Sequence, residues 1–177
     1  MIPVTQRIIS GTRGDCFSAC IASILELPYE DVPRFVTDAV DRGAEHEWLR
    51  DTFAWLKPLG LTLVDINARD LHDYRGLVGL YVLLSVPSQK FPGGGHSVVG
   101  TWIKEGGGHT LAIAHDPNPY NDPYPPEVDI QRITFVVPFN LVKFKQVSKW
   151  KVYDIMADDE TYAITANPAV AAVIGLS

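Results

Sequence analysis

The chain is short of cysteine, of long apolar runs and of clustered positive charge, and each shortage closes a class of function. Its 177 residues hold two cysteines, Cys16 and Cys20, four apart. Two cysteines do not make a disulfide framework, and on one helix they would lie along the same face in a geometry poorly suited to bridging. Free thiols in a reducing, cytoplasmic setting are therefore expected. Neither a C-x-x-C motif nor a second cysteine pair is present, which disfavours a zinc site and a redox pair. No metal or cofactor is expected. No segment approaches the ~18 consecutive apolar residues of a membrane helix, and the opening "MIPVTQRIIS" lacks the basic region and apolar core of a secretory signal. The formal charge is −6 and the lysines and arginines are scattered, so there is no footprint for nucleic-acid phosphate or for anionic lipid. Neither nucleic acid nor membrane is expected as a partner.

What the chain does contain is an ordinary globular composition, 46% apolar and 20% charged, enough for one domain over residues 1–177. No internal repeat, low-complexity stretch or linker divides it. Helix one is expected from Cys16 to Glu26, stopping before Pro28. In a second helix, Val32, Phe35, Val36 and Val40 recur at helical spacing up to Gly43. A third, "EHEWLRDTFAWLKPLG", turns Trp48, Leu49, Thr52, Phe53 and Leu56 inward. Strands follow at 61–66, 77–86, 96–103, 109–115 and 133–139, with one or two more over 141–156. The tail from Ala157 either docks as a short helix or frays. Helices first and strands after predict an α+β fold, a helical layer against a mostly antiparallel sheet.

Chemistry concentrates at three places. In "GDCFSACIASIL" (14–25) a turn runs directly into a helix, putting Cys16 in its first turn, where unpaired N–H groups and the positive end of the helix dipole favour thiolate. Cys20, one turn on between Ala19 and Ile21, suits a buried, inert thiol. In "HSVVGTWIKEGGGHTLAIAHD" two strands flank "KEGGG" (104–108). With Ile103 opposite His109, the partner of His96 is Asp116, and an imidazole beside a carboxylate is fixed in tautomer and orientation. Taken singly, Cys16 suits a helix-start packing residue, His96 a strand opener and Asp116 a turn. Their joint occurrence shifts the balance toward a nucleophile, a base and an orienting carboxylate.

The stretches "GDCFSACIASILELPYEDVPRF", "GGGHSVVG" and "AHDPNPY" resemble the papain-like cysteine peptidase superfamily. The pattern is most similar to its small bacterial and phage members and to the leader-peptide peptidases of bacteriocin exporters. The resemblance covers roughly residues 1 to 120. It implies a papain-like fold in which the histidine's sheet packs on the cysteine's helix. It also implies a Cys16–His96–Asp116 triad that cleaves a peptide, isopeptide or side-chain amide through a thioester, with a peptide or protein as substrate. The family's oxyanion hole uses the cysteine's own N–H and an upstream glutamine. Gln6 is the only upstream glutamine, ten residues before Cys16 and farther than the family's usual spacing, with Asp15 or Thr12 as alternative contributors. Transglutaminase or deamidase chemistry fits the same triad, and the rival class is a catalytically silent binding or inhibitor protein. The loop 117–126, with Tyr120 and Tyr124, is a candidate recognition surface.

Overall fold

The computed structural model describes residues 1–71, 77–138, 155–157 and 160–162. Helix α1, Cys16–Leu25, buries a run from Phe17 to Ser23. It ends earlier than expected, on Glu26 in the left-handed conformation, with the Leu27 N–H closing onto the Ala22 carbonyl at 3.0 Å. Pro28 then bars any continuation. The second helix is shorter than its apolar spacing predicts. Pro33 forces Val32 into extended backbone, so Tyr29–Asp31 is an isolated 3₁₀ turn and α2 spans only Phe35–Asp41. Helix α3, Trp48–Leu56, lies between 3₁₀ turns at Glu45–Glu47 and Lys57–Leu59. Gly60, at φ 71°, closes that stretch.

Five strands form one antiparallel sheet: β1 (Leu61–Asn67), β2 (Tyr81–Pro87), β3 (Gly95–Glu105), β4 (Gly108–His115) and β5 (Arg132–Pro138). Their order is β1-β5-β2-β3-β4, so β5 inserts between the first two strands in sequence. The strand expected at 77–86 begins later, because Val78 makes only an isolated bridge to Trp102 before a turn at Gly79. A separate antiparallel pair joins β6 (Ile155–Ala157) to β7 (Glu160–Tyr162). The rest of the strands expected over 141–156, and the helix considered for the tail, lie outside the described residues.

The strand period of two separates two cores. Leu63, Leu83 and Val99 meet Phe17, Cys20, Ile21, Phe35 and Leu56 on the helical face. Val82, Leu84, Val86, Val98, Trp102, Ile133 and Phe135 fill the other, where the Trp102 and Phe135 rings stack at 6.0 Å. The chain is thus α+β, with three α-helices and an antiparallel five-stranded sheet among the described residues. Among the described residues no helix is long and apolar enough to cross a membrane.

Candidate active site

The β3–β4 hairpin differs from the sequence count in a way that matters for His96. Its turn is only Gly106 and Gly107, both at positive φ (55° and 85°), and Ile103 faces Thr110 rather than His109. Glycine at both positions is what a two-residue hairpin turn demands. Continued unbroken, this register would set Asp116 opposite Ser97, on the wrong face for His96. A bulge corrects it. Gly100 faces Ile113 while Val99 faces His115, so Ala114 is an extra residue. Beyond the bulge, Asp116 falls diagonal to His96 on one face, within reach of long side chains. The ladder itself stops at His115, so Asp116 is not the strand partner of His96; Val86 is. The side chains nevertheless meet, with His96 Nε2 2.7 Å from Asp116 Oδ1.

Asp116 is both a turn residue and the partner of His96. Its Oδ1 also accepts the Asn118 N–H at 2.8 Å, and its Oδ2 accepts Asn121 Nδ2 at 2.8 Å. Asn118 Nδ2 in turn donates to Asn121 Oδ1 at 3.0 Å. The loop "DPNPYND" thereby clamps both carboxylate oxygens. Burial acts to raise the carboxyl pKa. The His96 ring and the Asn118 and Asn121 donors outweigh it, leaving Asp116 below the usual carboxylate range.

Asp15, at the N-cap of α1, does not cap it. Its carboxylate instead accepts the N–H groups of Arg7 (3.2 Å) and Ile8 (2.9 Å) and the Tyr29 hydroxyl. The first turn of α1 is thus left without a side-chain cap, beside a half-buried Cys16. Cys16 Sγ accepts the Ser97 N–H at 3.5 Å and shares a hydrogen bond with the His96 ring. Because Nε2 faces Asp116, Nδ1 is the ring nitrogen left for the thiol. Burial acts to raise the Cys16 pKa, but His96, by hydrogen bond and charge, and Ser97 more than offset it, and the net shift is downward. The same contacts act on His96: burial opposes its charge, yet Asp116 and Cys16 raise its pKa to about 9. Both directions favour a thiolate–imidazolium pair.

The leading segment is stapled to this site. Val4 N–H donates to Ser23 Oγ at 2.9 Å, His115 Nε2 lies 2.9 Å from the Val4 carbonyl, and the Gln6 N–H donates to the Pro117 carbonyl at 2.9 Å. Gln6 is buried; its Nε2 donates to the Ile8 carbonyl at 2.9 Å, while its Oε1 has no hydrogen-bond partner among the described residues. Of the alternatives, Asp15 is a fully engaged acceptor and Thr12 is exposed. Cys20 is fully buried. Ser97, Asn118 and Asn121 were not legible as site residues, since a serine after a histidine and asparagines in a turn carry no motif. Tyr124, in the loop expected as a recognition surface, donates its hydroxyl to the Pro87 carbonyl at 3.3 Å. Burial and the negative charges of Asp116 and Cys16 push its pKa up to about 12. Among the described residues no group of three or more His, Cys, Asp or Glu is placed to hold a metal ion.

Gly14 fixes the turn that delivers Cys16. A Cβ there would stand 2.7 Å from the Ser10 carbonyl oxygen, a backbone atom that cannot yield alone. Gly14→Ala is expected to destabilise the protein by roughly 1–3 kcal/mol and to slow alkylation of Cys16, read by urea melts and iodoacetamide kinetics on the variant.

No protein-family model matches the chain, and the comparisons with curated proteins and with solved structures likewise found no match.

Proposed function

We propose that the protein is a papain-like cysteine hydrolase that cleaves an amide by thiol acyl transfer. The observation that carries this reading is the His96 ring, whose Nε2 lies 2.7 Å from Asp116 Oδ1 and which lowers the pKa of Cys16 beside it. The pKa directions of Cys16 and His96 favour the opposite charges that nucleophile and acid require.

In the proposed cycle Cys16 thiolate attacks the carbonyl carbon, forming the C–S bond and pushing the C=O electrons onto oxygen. Two donors suit that oxyanion: the Cys16 N–H, in a helix turn no side chain caps, and the second Nε2 hydrogen of Gln6, the first being spent on Ile8. Collapse breaks the C–N bond, and the amine leaves with the proton of His96. Water then attacks the thioester while His96 takes its proton. The acid departs and the thiolate and imidazolium return. Asp116, held by Asn118 and Asn121, keeps the ring oriented throughout. An amine in place of water makes the same enzyme a transferase.

An activated ester tests this without knowledge of the substrate. With p-nitrophenyl acetate, a burst of one equivalent of p-nitrophenol and an acetyl group on the Cys16 peptide are expected, followed by slower turnover. Acetylation confined to lysines, with no burst, would overturn the reading. A silent binding protein would give that second result and would keep its partner in Cys16→Ser.

A further inference from the structure

Among the described strands, β3 leaves two backbone groups without a strand partner at Ser97. Opposed residues in an antiparallel pair either exchange both ladder hydrogen bonds or neither. Ser85, which faces Ser97, has its carbonyl turned to the other side, where it accepts the Gln131 N–H at 2.9 Å. The N–H and C=O of Ser97 therefore both point away from β2, toward the side of β4. The β4 ladder has already ended at Val99 opposite His115. Helix α1 fills the gap with its two thiols, one turn apart. Cys16 Sγ accepts the Ser97 N–H at 3.5 Å, and Cys20 Sγ donates to the Ser97 carbonyl at 3.4 Å.

We infer that Cys20 is a positioning residue for Cys16: its S–H anchors the Ser97 carbonyl so that the N–H of the same residue meets the Cys16 sulfur and the preceding residue, His96, meets its ring partner. This rests on the reading of Cys16 as the nucleophile and goes beyond it, since Cys20 otherwise serves only as core. The two thiols divide one task by protonation. Cys16 accepts, which a thiolate does best, and Cys20 donates, which requires its proton. Complete burial, together with the negative charges of Cys16 and Asp116, keeps Cys20 protonated by pushing its pKa well up. The i, i+4 spacing matters because it places both sulfurs on one helix face.

The test uses Cys20→Val, which keeps the volume and removes the donor, and Cys20→Ser, which keeps a donor. In each, Cys16 is the sole thiol, so its titration by ultraviolet absorbance and its iodoacetamide rate against pH are unambiguous. Cys20→Val is expected to move the Cys16 titration upward, lowering the thiolate fraction at pH 6 by about fivefold, the scale of one hydrogen bond, and slowing alkylation by a smaller factor because the remaining thiolate is the better nucleophile. Cys20→Ser is expected to stay within about twofold of the wild type. Equal profiles for Cys20→Val, Cys20→Ser and wild type, with Cys16 still activated, overturn the inference alone. A wild-type Cys16 no more reactive than a model thiol overturns the underlying reading instead. An infrared spectrum of the wild-type protein alone at pH 8, in the S–H stretching region, reads the same contact whether or not the variants fold well. A lowered S–H stretch relative to a free thiol supports the anchor, and an unshifted one contradicts it.

Discussion

Iodoacetamide at pH 6 is expected to modify Cys16 and leave Cys20 untouched, and Cys16→Ser is expected to abolish both that reaction and acyl transfer. The selectivity follows from opposite pKa shifts of two thiols one turn apart. Burial, with the charges of Cys16 and Asp116 added, holds Cys20 as a thiol, whereas His96 and Ser97 outweigh burial at Cys16. Each unit of pKa depression gains about tenfold in thiolate at pH 6 and loses about threefold in intrinsic nucleophilicity, a net gain of about threefold. Cys16 should therefore outpace a model thiol, and peptide mapping should find the label on one cysteine. Loss of the nucleophile costs acyl transfer about 10⁴-fold or more. Cys20→Ser is the control that should retain labelling. Equal labelling of both cysteines only after unfolding would contradict the assignment.

His96→Ala is expected to reverse the Cys16 shift. Without the imidazole, burial acts on the thiol with little opposition, so its titration rises and the rate of acyl transfer falls by about 10²–10⁴. The pH dependence has a definite sign. Acyl transfer falls at low pH as Cys16 gains a proton, and falls again as pH rises through about 9, where His96 loses the proton destined for the leaving amine. Both limbs belong to the coupled pair. Alkylation needs no acid and should keep only the lower limb. Stability follows the same linkage. The raised His96 pKa favours the folded state below the ordinary histidine range and loses that contribution as pH rises toward about 9, whereas the lowered Cys16 pKa favours it above the ordinary cysteine range and loses that contribution as pH falls through the folded Cys16 value. Denaturant melts across both ranges, for wild type and His96→Ala, check the difference.

Much of this site could be read from residue order alone because its members announce themselves by local chemistry. A turn before a small-residue apolar run puts Cys16 at a helix start whatever the fold. The glycine-flanked "GHSVVG" opens a strand, and "DPNPYND" is a turn by any register. The His96–Asp116 contact, by contrast, was anticipated through a count that the structure revises. The glycines make a tighter turn than supposed, and the Ala114 bulge, which no residue type signals, restores the face that the tighter turn would have reversed. Pro33 shortened the second helix because its effect on Val32 outweighs apolar spacing. Ser97 was invisible, since its part is played chiefly by the backbone where a neighbouring strand ends, and strand ends are set by tertiary pairing. Gln6 reaches the region through the Pro117 carbonyl, a contact more than a hundred residues away in sequence that spacing from Cys16 could not reveal.

The ionisation of Cys16 is the point on which the account turns, and thiolate absorbance against pH measures it directly. The wild-type protein should show one thiolate whose midpoint lies below that of an ordinary cysteine, and His96→Ala should move that midpoint upward. A wild-type midpoint at or above the ordinary value, unchanged by His96→Ala, would contradict it.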